Sequence, residues 1–361
     1  MVKKMKNISI NKLKDFIGKE VQLNGWIYNL RSVGKIWFAI VRDGTGFVQC
    51  VVTSNDVSSD VFELESSLTQ ESSVIVKGIV QEDSRSDLGV EILVKDMEVI
   101  HIAEEYPIAL KEHGVSFLMD NRHLWLRSKK QYAIMKVRQN IIKSIRDFFD
   151  SRDFVLIDSP MFTGNAVEGT TTLFETEYFN RSAYLTQSGQ LYQEAGAMAF
   201  GKTYCFGPCF RAEKSKTRKH LTEFWMVEPE MAFYDLNDNM DLIEEFIVHI
   251  VSQSIANCKE ELKILERDIS LLEKVKSPFP RITYDEAVKL LKDNGQEFKY
   301  GSDFGAPDEE LIASKFDSPV MIHSWPHETK AFYMKRDETD KLALGVDVIA
   351  PEGYGEIVGG G

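Results

Sequence analysis

Cysteine is scarce in this chain, and the cysteines that occur are scattered rather than grouped. The four positions are Cys50, Cys205, Cys209 and Cys258. A structural zinc site usually takes four ligands, and only two of these cysteines are neighbours in sequence. The spacing therefore disfavours a zinc site and favours reduced, buried thiols.

The chain also lacks long apolar runs, internal repeats and low-complexity segments. No run approaches the roughly 20 apolar residues that a membrane-spanning helix needs. The first residues, Met1 to Lys4, are not followed by the apolar core of a signal peptide. These absences predict a soluble protein of the cytoplasm that does not associate with membranes.

Positive charge is in the minority, with 43 lysines and arginines against 56 acidic residues and a net charge of −13. This balance argues against non-specific coating of nucleic acid, although a local patch can still bind a specific RNA. A chain of 361 residues with 43% hydrophobic content can build two domains, each with its own core.

Short runs of alternating apolar residues fill the region from Val21 to about Ile102 and predict five strands. The runs are 21–27, 36–41, 47–52, 73–80 and 90–94. Asp43-Gly44-Thr45-Gly46 is a hairpin turn signal between two of them. Five strands in roughly 80 residues are typical of a small barrel, for which the OB-fold is the natural candidate.

A helical period replaces the alternation after Lys130. Apolar residues at helical spacing through Phe149 predict a long amphipathic helix, followed by an apolar strand from Phe154 to Pro160. The segment 237–274 also has a helical pattern and is interpreted as an insertion packed outside the sheet.

Two strands joined by a basic loop are predicted around Arg211, with the loop running from Lys214 to His220. Alternation places Phe224 and Glu228 on one sheet face, and Arg211 and Glu213 also share a face. A solvated amphipathic hairpin is one interpretation. The other is a nucleoside triphosphate site, with the arginine on a phosphate and the ring stacked on the base.

The segment Phe210-Arg211-Ala212-Glu213, with Phe224-Trp225-Met226-Val227-Glu228 after the loop, resembles motif 2 of the class II aminoacyl-tRNA synthetases. The resemblance implies an α+β fold with an antiparallel catalytic sheet. It implies that Arg211 holds the ATP α-phosphate and the substrate carboxylate. It also implies that Glu213 contacts the adenine, that Phe224 stacks under it, and that His220 lies near the outer phosphates.

The helix, strand and proline ending at Pro160 resemble motif 1, which forms the dimer interface of that family, so a homodimer is expected. With the barrel, the resemblance spans nearly the whole chain. The expected division is an OB-fold anticodon-binding domain over 1–103, a linker over 104–129 and a catalytic domain over 130–361. The helical insertion at 237–274 would belong to the catalytic domain.

The amino-acid pocket resembles that of the aspartate, asparagine and lysine subgroup. The resemblance implies substrate contacts from Glu168, Ser188, Gln190, Gln193 and Glu228. Aspartate enzymes usually carry a lysine at the position of Gln193 and an aspartate at that of Glu228. A carboxylate at 228 repels a substrate carboxylate and accepts from an amide, so the pocket favours asparagine; an aspartate enzyme remains the close alternative.

Cations and aromatic residues interleave in the barrel, as in surfaces that bind unpaired bases. The segment resembles the anticodon-binding domain of the subgroup, in which the residues matching Arg31, Phe38 and Gln49 engage the central uridine of the anticodon. The expected partner is tRNA(Asn).

The last residues, Asp347 to Gly361, resemble a late active-site strand in which Glu356 binds the magnesium ion of ATP. In the family an arginine follows this glutamate by about seven residues, and motif 3 comes later. Neither is found in the 361 residues. The expected activity is therefore ATP- and Mg²⁺-dependent ligation of asparagine to tRNA. A non-catalytic tRNA-binding fragment or paralogue is the alternative from another functional class.

Overall fold

The computed structural model describes residues 7–86, 88–164, 173–214 and 221–361. The chain divides into two compact units, Met1–Trp125 and Leu126–Gly361. Among the helices in these described ranges, none combines the length and the apolar character that crossing a membrane requires.

A closed five-stranded barrel forms the first unit, with the strand order β1-β2-β3-β5-β4. The strands are β1 Glu20–Val33, β2 Ile36–Arg42, β3 Phe47–Thr53, β4 Ser73–Glu82 and β5 Val90–His101. Every second residue of β2 and β3 is buried, which is the alternation that the sequence predicts. The prediction of an OB-fold barrel is confirmed.

Short helices accompany the barrel. They are α1 Ser59–Glu63, α2 Val115–Asp120 and α3 Arg122–Trp125, with 3₁₀ turns at Ile10–Phe16 and Leu64–Ser66. The carboxylate of Asp43 fixes the predicted β2–β3 turn, because it accepts from the backbone N–H of Thr45 at 2.8 Å and from that of Ile10 at 2.8 Å.

In the described part of the second unit, helices pack with three small sheets. The helices are α4 Lys129–Asp150, α5 Gln190–Phe200, α6 Leu236–Asn257, α7 Lys259–Ile264, α8 Ile269–Leu272, α9 Tyr284–Asp293 and α10 Ala306–Ala313. A 3₁₀ turn lies at His327–Thr329. The strands are β6 Val155–Leu156, β7 Phe162–Thr163, β8 Glu175–Tyr178, β9 Arg181–Leu185, β10 Lys202–Phe210, β11 Glu223–Met231, β12 Arg281–Thr283, β13 Val320–Pro326, β14 Leu342–Ala350 and β15 Gly355–Gly360.

The strand orders are β11-β10-β6, β12-β13-β14-β15 and β7-β9-β8. Neighbouring strands are antiparallel except for the β10–β6 and β12–β13 pairs. The predicted strand at 154–160 is reduced to Val155–Leu156, because only Thr203 and Tyr204 of β10 pair with it.

The long helix α6 lies between two cores. Leu242 packs with Phe148 and Tyr204 in one core, while Met240 packs with Val348 in the other. The helix therefore contributes to both cores, and its interpretation as part of an insertion at 237–274 stays a prediction. Its apolar residues pack with Tyr204 of β10 in one core and with Met321 of β13 and Val346 of β14 in the other.

Candidate functional site

The antiparallel pair β10–β11 forms the floor of the candidate site. Its register places Cys205 opposite Glu228 and Cys209 opposite Phe224. Residues opposite one another in an antiparallel ladder project from the same face. The shared face of Phe224 and Glu228 that the sequence predicts is thus the face that also carries the two cysteines.

The other face of the same strands is core. Tyr204 and Phe206 of β10 pack with Val227 of β11 against Phe148 and Phe149 of α4. Because one face is covered by a helix, the polar groups of the opposite face are left available for a ligand. The amphipathic alternation of β10 and β11 therefore separates the core from the site.

Arg211 and Phe224 are brought together at the end of this ladder. β10 ends at Phe210, yet the backbone N–H of Arg211 still donates to the carbonyl of Thr222 at 3.0 Å. The Cζ atom of Arg211 lies 5.4 Å from the centroid of the Phe224 ring. A planar cation beside an aromatic ring is suited to a phosphate and a base of one nucleotide.

Three other residues were predicted for this site, and the structure describes one of them. Glu213 is exposed in the segment that follows β10. Glu168 and His220 lie outside the described residues. Their predicted roles in the amino-acid and phosphate sites stay predictions.

Glu228 is fixed by donors from the segment before α5. The Ser188 hydroxyl donates to Oε1, and the Gly189 backbone N–H lies 3.1 Å from Oε1 and 2.9 Å from Oε2. Glycine is required at 189, since an added Cβ would lie 2.6 Å from Cys205 Sγ and 3.2 Å from Glu228 Oε2. The carboxylate is thus held in one orientation against the start of the helix.

Two cysteines complete the surroundings of Glu228. Cys205 Sγ lies 3.4 Å from Oε2 of Glu228, and Cys209 Sγ lies 3.9 Å from the same atom. Burial, followed by the charge of Glu228, raises the pKa of both thiols, that of Cys209 to about 12. The thiols therefore stay protonated and can act as weak donors toward the carboxylate. Sequence analysis missed this role, although both cysteines lie an even number of residues from Arg211 and therefore on the same face of an extended strand.

Gln190 lies at the first turn of α5, as the sequence predicts. Its backbone N–H donates to Ser188 Oγ at 3.0 Å, and its side-chain amide donates to Glu194 Oε1 at 3.0 Å. A contact between Gln190 and a substrate remains a prediction.

Gln193 is fully buried beneath the site. Its amide nitrogen donates to the carbonyl of Ile157 at 2.7 Å and to Ser159 Oγ at 3.1 Å. Among the described residues, no hydrogen-bond partner is found for Gln193 Oε1. Oε1 is itself buried, so the described part of the structure shows no contact route from this side chain to a ligand, and the contact of Gln193 with the substrate stays a prediction.

Glu230 makes stability depend on pH. Burial, then the carboxylates of Glu194 and Glu228, raise the pKa of Glu230 from 4.5 to about 7. Between these values Glu230 binds more protons in the folded chain than in the unfolded chain, so its contribution to stability is fully present below pH 4.5 and is lost as pH rises to 7. Glu230→Gln should reduce this slope by up to about 1.4 kcal/mol per pH unit.

Urea unfolding between pH 5 and pH 8 measures the slope. Glu223→Gln, at the exposed start of the same strand, is the matched control. Equal slopes in wild type and Glu230→Gln would contradict the assignment.

A second acidic group lies on the β14–β15 hairpin. A Cβ placed on Gly359 would lie 2.7 Å from Glu356 Oε1 and 3.5 Å from Asp347 Oδ1, so the missing side chain leaves a space that both carboxylates border. Desolvation of the carboxylate, then the charge of Asp347, raises the pKa of Glu356 to about 7, although the residue as a whole is exposed. Asp347 is buried and pairs with Lys330.

The barrel brings the three predicted anticodon residues into contact. The Cζ atom of Arg31 lies 4.5 Å from the centroid of the Phe38 ring, and its Nη2 donates to Gln49 Oε1 at 3.0 Å. Gln49 Nε2 in turn donates to Glu91 at 3.0 Å. Glu91 was missed in the sequence analysis, since it lies 42 residues from Gln49 and only the parallel β3–β5 pairing brings it near.

Two family models match the chain. Residues 21–100 match the OB-fold nucleic acid binding domain, and residues 114–361 match tRNA synthetases class II (D, K and N). The second match covers the candidate site and most of the chain.

Individual relatives agree with the family models. The chain is 55% identical to the asparagine–tRNA ligase of Desulforamulus reducens, over 99% of this chain and 83% of the relative. It is 54% identical to the asparagine–tRNA ligase of Pelotomaculum thermopropionicum, with the same shares covered.

A solved structure resembles the chain over the same extent. Asparaginyl-tRNA synthetase from Pyrococcus horikoshii, complexed with asparaginyl-adenylate, has a TM-score of 0.93 and 40% identity. The match covers 99% of this chain and 83% of that one. The chain therefore belongs to the class II tRNA synthetases of the aspartate, lysine and asparagine group.

Proposed function

We propose that this chain catalyses the ATP-dependent ligation of asparagine to tRNA(Asn). The observation that carries the proposal is Glu228, an acceptor held by Ser188 and Gly189 on the same face as Arg211 and Phe224. A fixed carboxylate can accept from the side-chain amide of asparagine and repels the carboxylate of aspartate. The names of the two ligases described above support the same substrate.

In the first step, an oxygen of the asparagine carboxylate attacks the α-phosphorus of ATP. The bond to the bridging oxygen breaks, which gives asparaginyl-adenylate and pyrophosphate. The Arg211 guanidinium would stabilise the charge that develops on the α-phosphate, and the Phe224 ring would hold the adenine. We assign no general base, since positioning of the two reactants can supply much of the rate.

Asp347 and Glu356 fit a divalent cation that accompanies ATP. Magnesium is usually held by one or two carboxylates together with phosphate oxygens and water. Among the described residues, no group of three or more histidine, cysteine or acidic side chains is arranged to hold a metal ion. The ion would supply positive charge beside the phosphates.

In the second step, a hydroxyl of the terminal tRNA ribose attacks the activated carbonyl carbon, and AMP leaves. The barrel would hold the anticodon through Arg31, Phe38 and Gln49, whose mutual contacts place a cation, a ring and an amide together. Rings stack on unpaired bases, and amides bind their edges.

Phe38→Ala should weaken tRNA binding and leave asparagine activation unchanged. Stacking on one base contributes about 1–3 kcal/mol, which corresponds to a roughly 5- to 150-fold loss of tRNA affinity. Filter binding of tRNA(Asn) measures the loss, with Phe38→Trp as the variant that keeps the stack. The assignment fails if Phe38→Ala binds tRNA as wild type does while its barrel remains folded.

The remaining expectations also belong to this proposal. A homodimer is supported by exposed apolar residues at the segment that resembles motif 1, including Val155 at 39% and Leu156 at 36% exposure. We retain 1–103, 104–129 and 130–361 as the barrel domain, linker and catalytic domain, and we place the protein in the cytoplasm.

ATP–pyrophosphate exchange tests the proposed activity. Exchange should depend on asparagine and should not occur with aspartate. Exchange with aspartate would favour the alternative enzyme. A folded sample that binds tRNA but shows no exchange with either amino acid would favour the non-catalytic reading.

A further inference from the structure

Lys330 lies at the acidic pair of the β14–β15 hairpin, although no motif assigns it a role. Its ammonium group contacts Asp347 Oδ2 and lies 3.8 Å from the centroid of the Trp325 ring. The side chain of Lys330 is 15% exposed and that of Asp347 is 7% exposed. The pair is therefore largely withdrawn from water, where a charged partner matters more than on the surface.

The two oxygens of Asp347 face different groups. Oδ2 is bound by Lys330, whereas Oδ1 borders the space above Gly359 together with Glu356 Oε1. Asp303 and Glu309 add further negative charge around Glu356 and Asp347. Without a nearby cation, these carboxylates would repel one another, because partial burial weakens the screening of their charges by water.

We propose that Lys330 is a positioning residue that serves as a built-in counter-ion for Asp347. It stabilises the acidic pair before a divalent cation arrives, and it holds Oδ1 toward Glu356. Because its positive charge lies beside the same carboxylate, it also lowers the affinity of the pair for that cation. The inference rests on the proposed function only in assigning the pair to the ATP-bound ion.

Lys330→Met tests this inference, because it keeps an apolar stem over Trp325 and removes the charge. The thermal midpoint of the whole chain is measured in EDTA and during titration with Mg²⁺ or Mn²⁺, without ATP, amino acid or tRNA. The variant should melt several degrees below wild type in EDTA. The divalent cation should restore much of the difference and should bind roughly tenfold more tightly than to wild type.

Two further variants separate the charge from the packing of the side chain. Lys335→Met removes an exposed lysine of the same segment and should behave as wild type. Lys330→Met combined with Asp347→Asn removes both charges, and it should fold as well as or better than Lys330→Met and lose the response to the metal.

The outcomes also distinguish this inference from the proposed function. If Lys330→Met shows the metal response and metal affinity of wild type, the counter-ion role is wrong. The same holds if the single variant fails to fold and the double variant does not recover. Absence of asparagine activation in wild type would overturn the proposed function and leave this result unaffected.

Discussion

Arg211→Ala is expected to slow asparaginyl-adenylate formation by about 10²–10³-fold without unfolding the protein. The guanidinium lies beside the Phe224 ring at the end of the β10–β11 ladder, on the face that also carries Glu228. In the proposed reaction, negative charge increases on the α-phosphate as the carboxylate attacks. A fixed cation in a partly buried site stabilises that charge without having to reorganise.

Lysine at this position gives a sharper test than alanine alone. Arg211→Lys keeps the positive charge and loses the planar pair of donors, so a smaller but clear loss is expected. Pyrophosphate exchange gives the rate, and a thermal melt verifies the fold. Arg336→Ala, an exposed arginine paired with Asp340, is the control. If folded Arg211→Ala keeps a rate within a few-fold of wild type, Arg211 does not bind the α-phosphate.

Glu228→Gln should remove the preference for asparagine over aspartate. The carbonyl oxygen of the new amide can accept from Ser188 and Gly189, as Glu228 Oε1 does now. Its NH₂ group then replaces Oε2, which now accepts from the Gly189 N–H at 2.9 Å and lies 3.4 Å from Cys205 Sγ. An NH₂ group cannot accept a hydrogen bond from a substrate amide. A substrate carboxylate would accept from it instead, so the ratio of kcat/KM for the two amino acids should fall by at least about 100-fold.

Glu230→Gln provides the matched control for this experiment. It lies on the same face of β11, two residues from Glu228, and its opposite neighbour is Thr203. It should change the pH dependence of stability and leave the discrimination intact. Unchanged discrimination in Glu228→Gln, or an equal loss in Glu230→Gln, would contradict the role of Glu228.

The barrel could be predicted because buried residues alternate with more exposed ones along most of its strands. In β2 and β3 each buried residue is followed by a half-buried one, and Asp43 supplies a turn whose hydrogen bonds are local. Local patterns of this kind determine strands and hairpins directly. The parallel contact between β3 and β5 joins segments that are distant in sequence. The hydrogen bond between Gln49 and Glu91 depends on this contact and was therefore not predicted.

The catalytic unit was predicted less completely, because its contacts join distant segments. The sequence predicted that Phe224 and Glu228 lie on one face of the sheet, and the register of β10 and β11 agrees with this prediction. The position of α6 between two cores could not, because an apolar helix in a core and one in an insertion have similar patterns.

Several site residues were missed for the same reason. Asp347 reaches Glu356 only through the hairpin register and the small Gly359, and Ser159 reaches Gln193 across 34 residues. Lys330 has no motif, and its pairing with Asp347 depends on how the 3₁₀ turn at His327–Thr329 is placed. Sequence patterns indicate which groups are polar, while the tertiary contacts decide which of them meet.

Identification of the adenylate made by the chain tests the central claim most directly. The protein is incubated with ATP, Mg²⁺ and equal concentrations of asparagine and aspartate, and the acyl-adenylate is identified by mass spectrometry. The proposed role of Glu228 predicts asparaginyl-adenylate alone. Aspartyl-adenylate as the main product would contradict the assignment of the pocket.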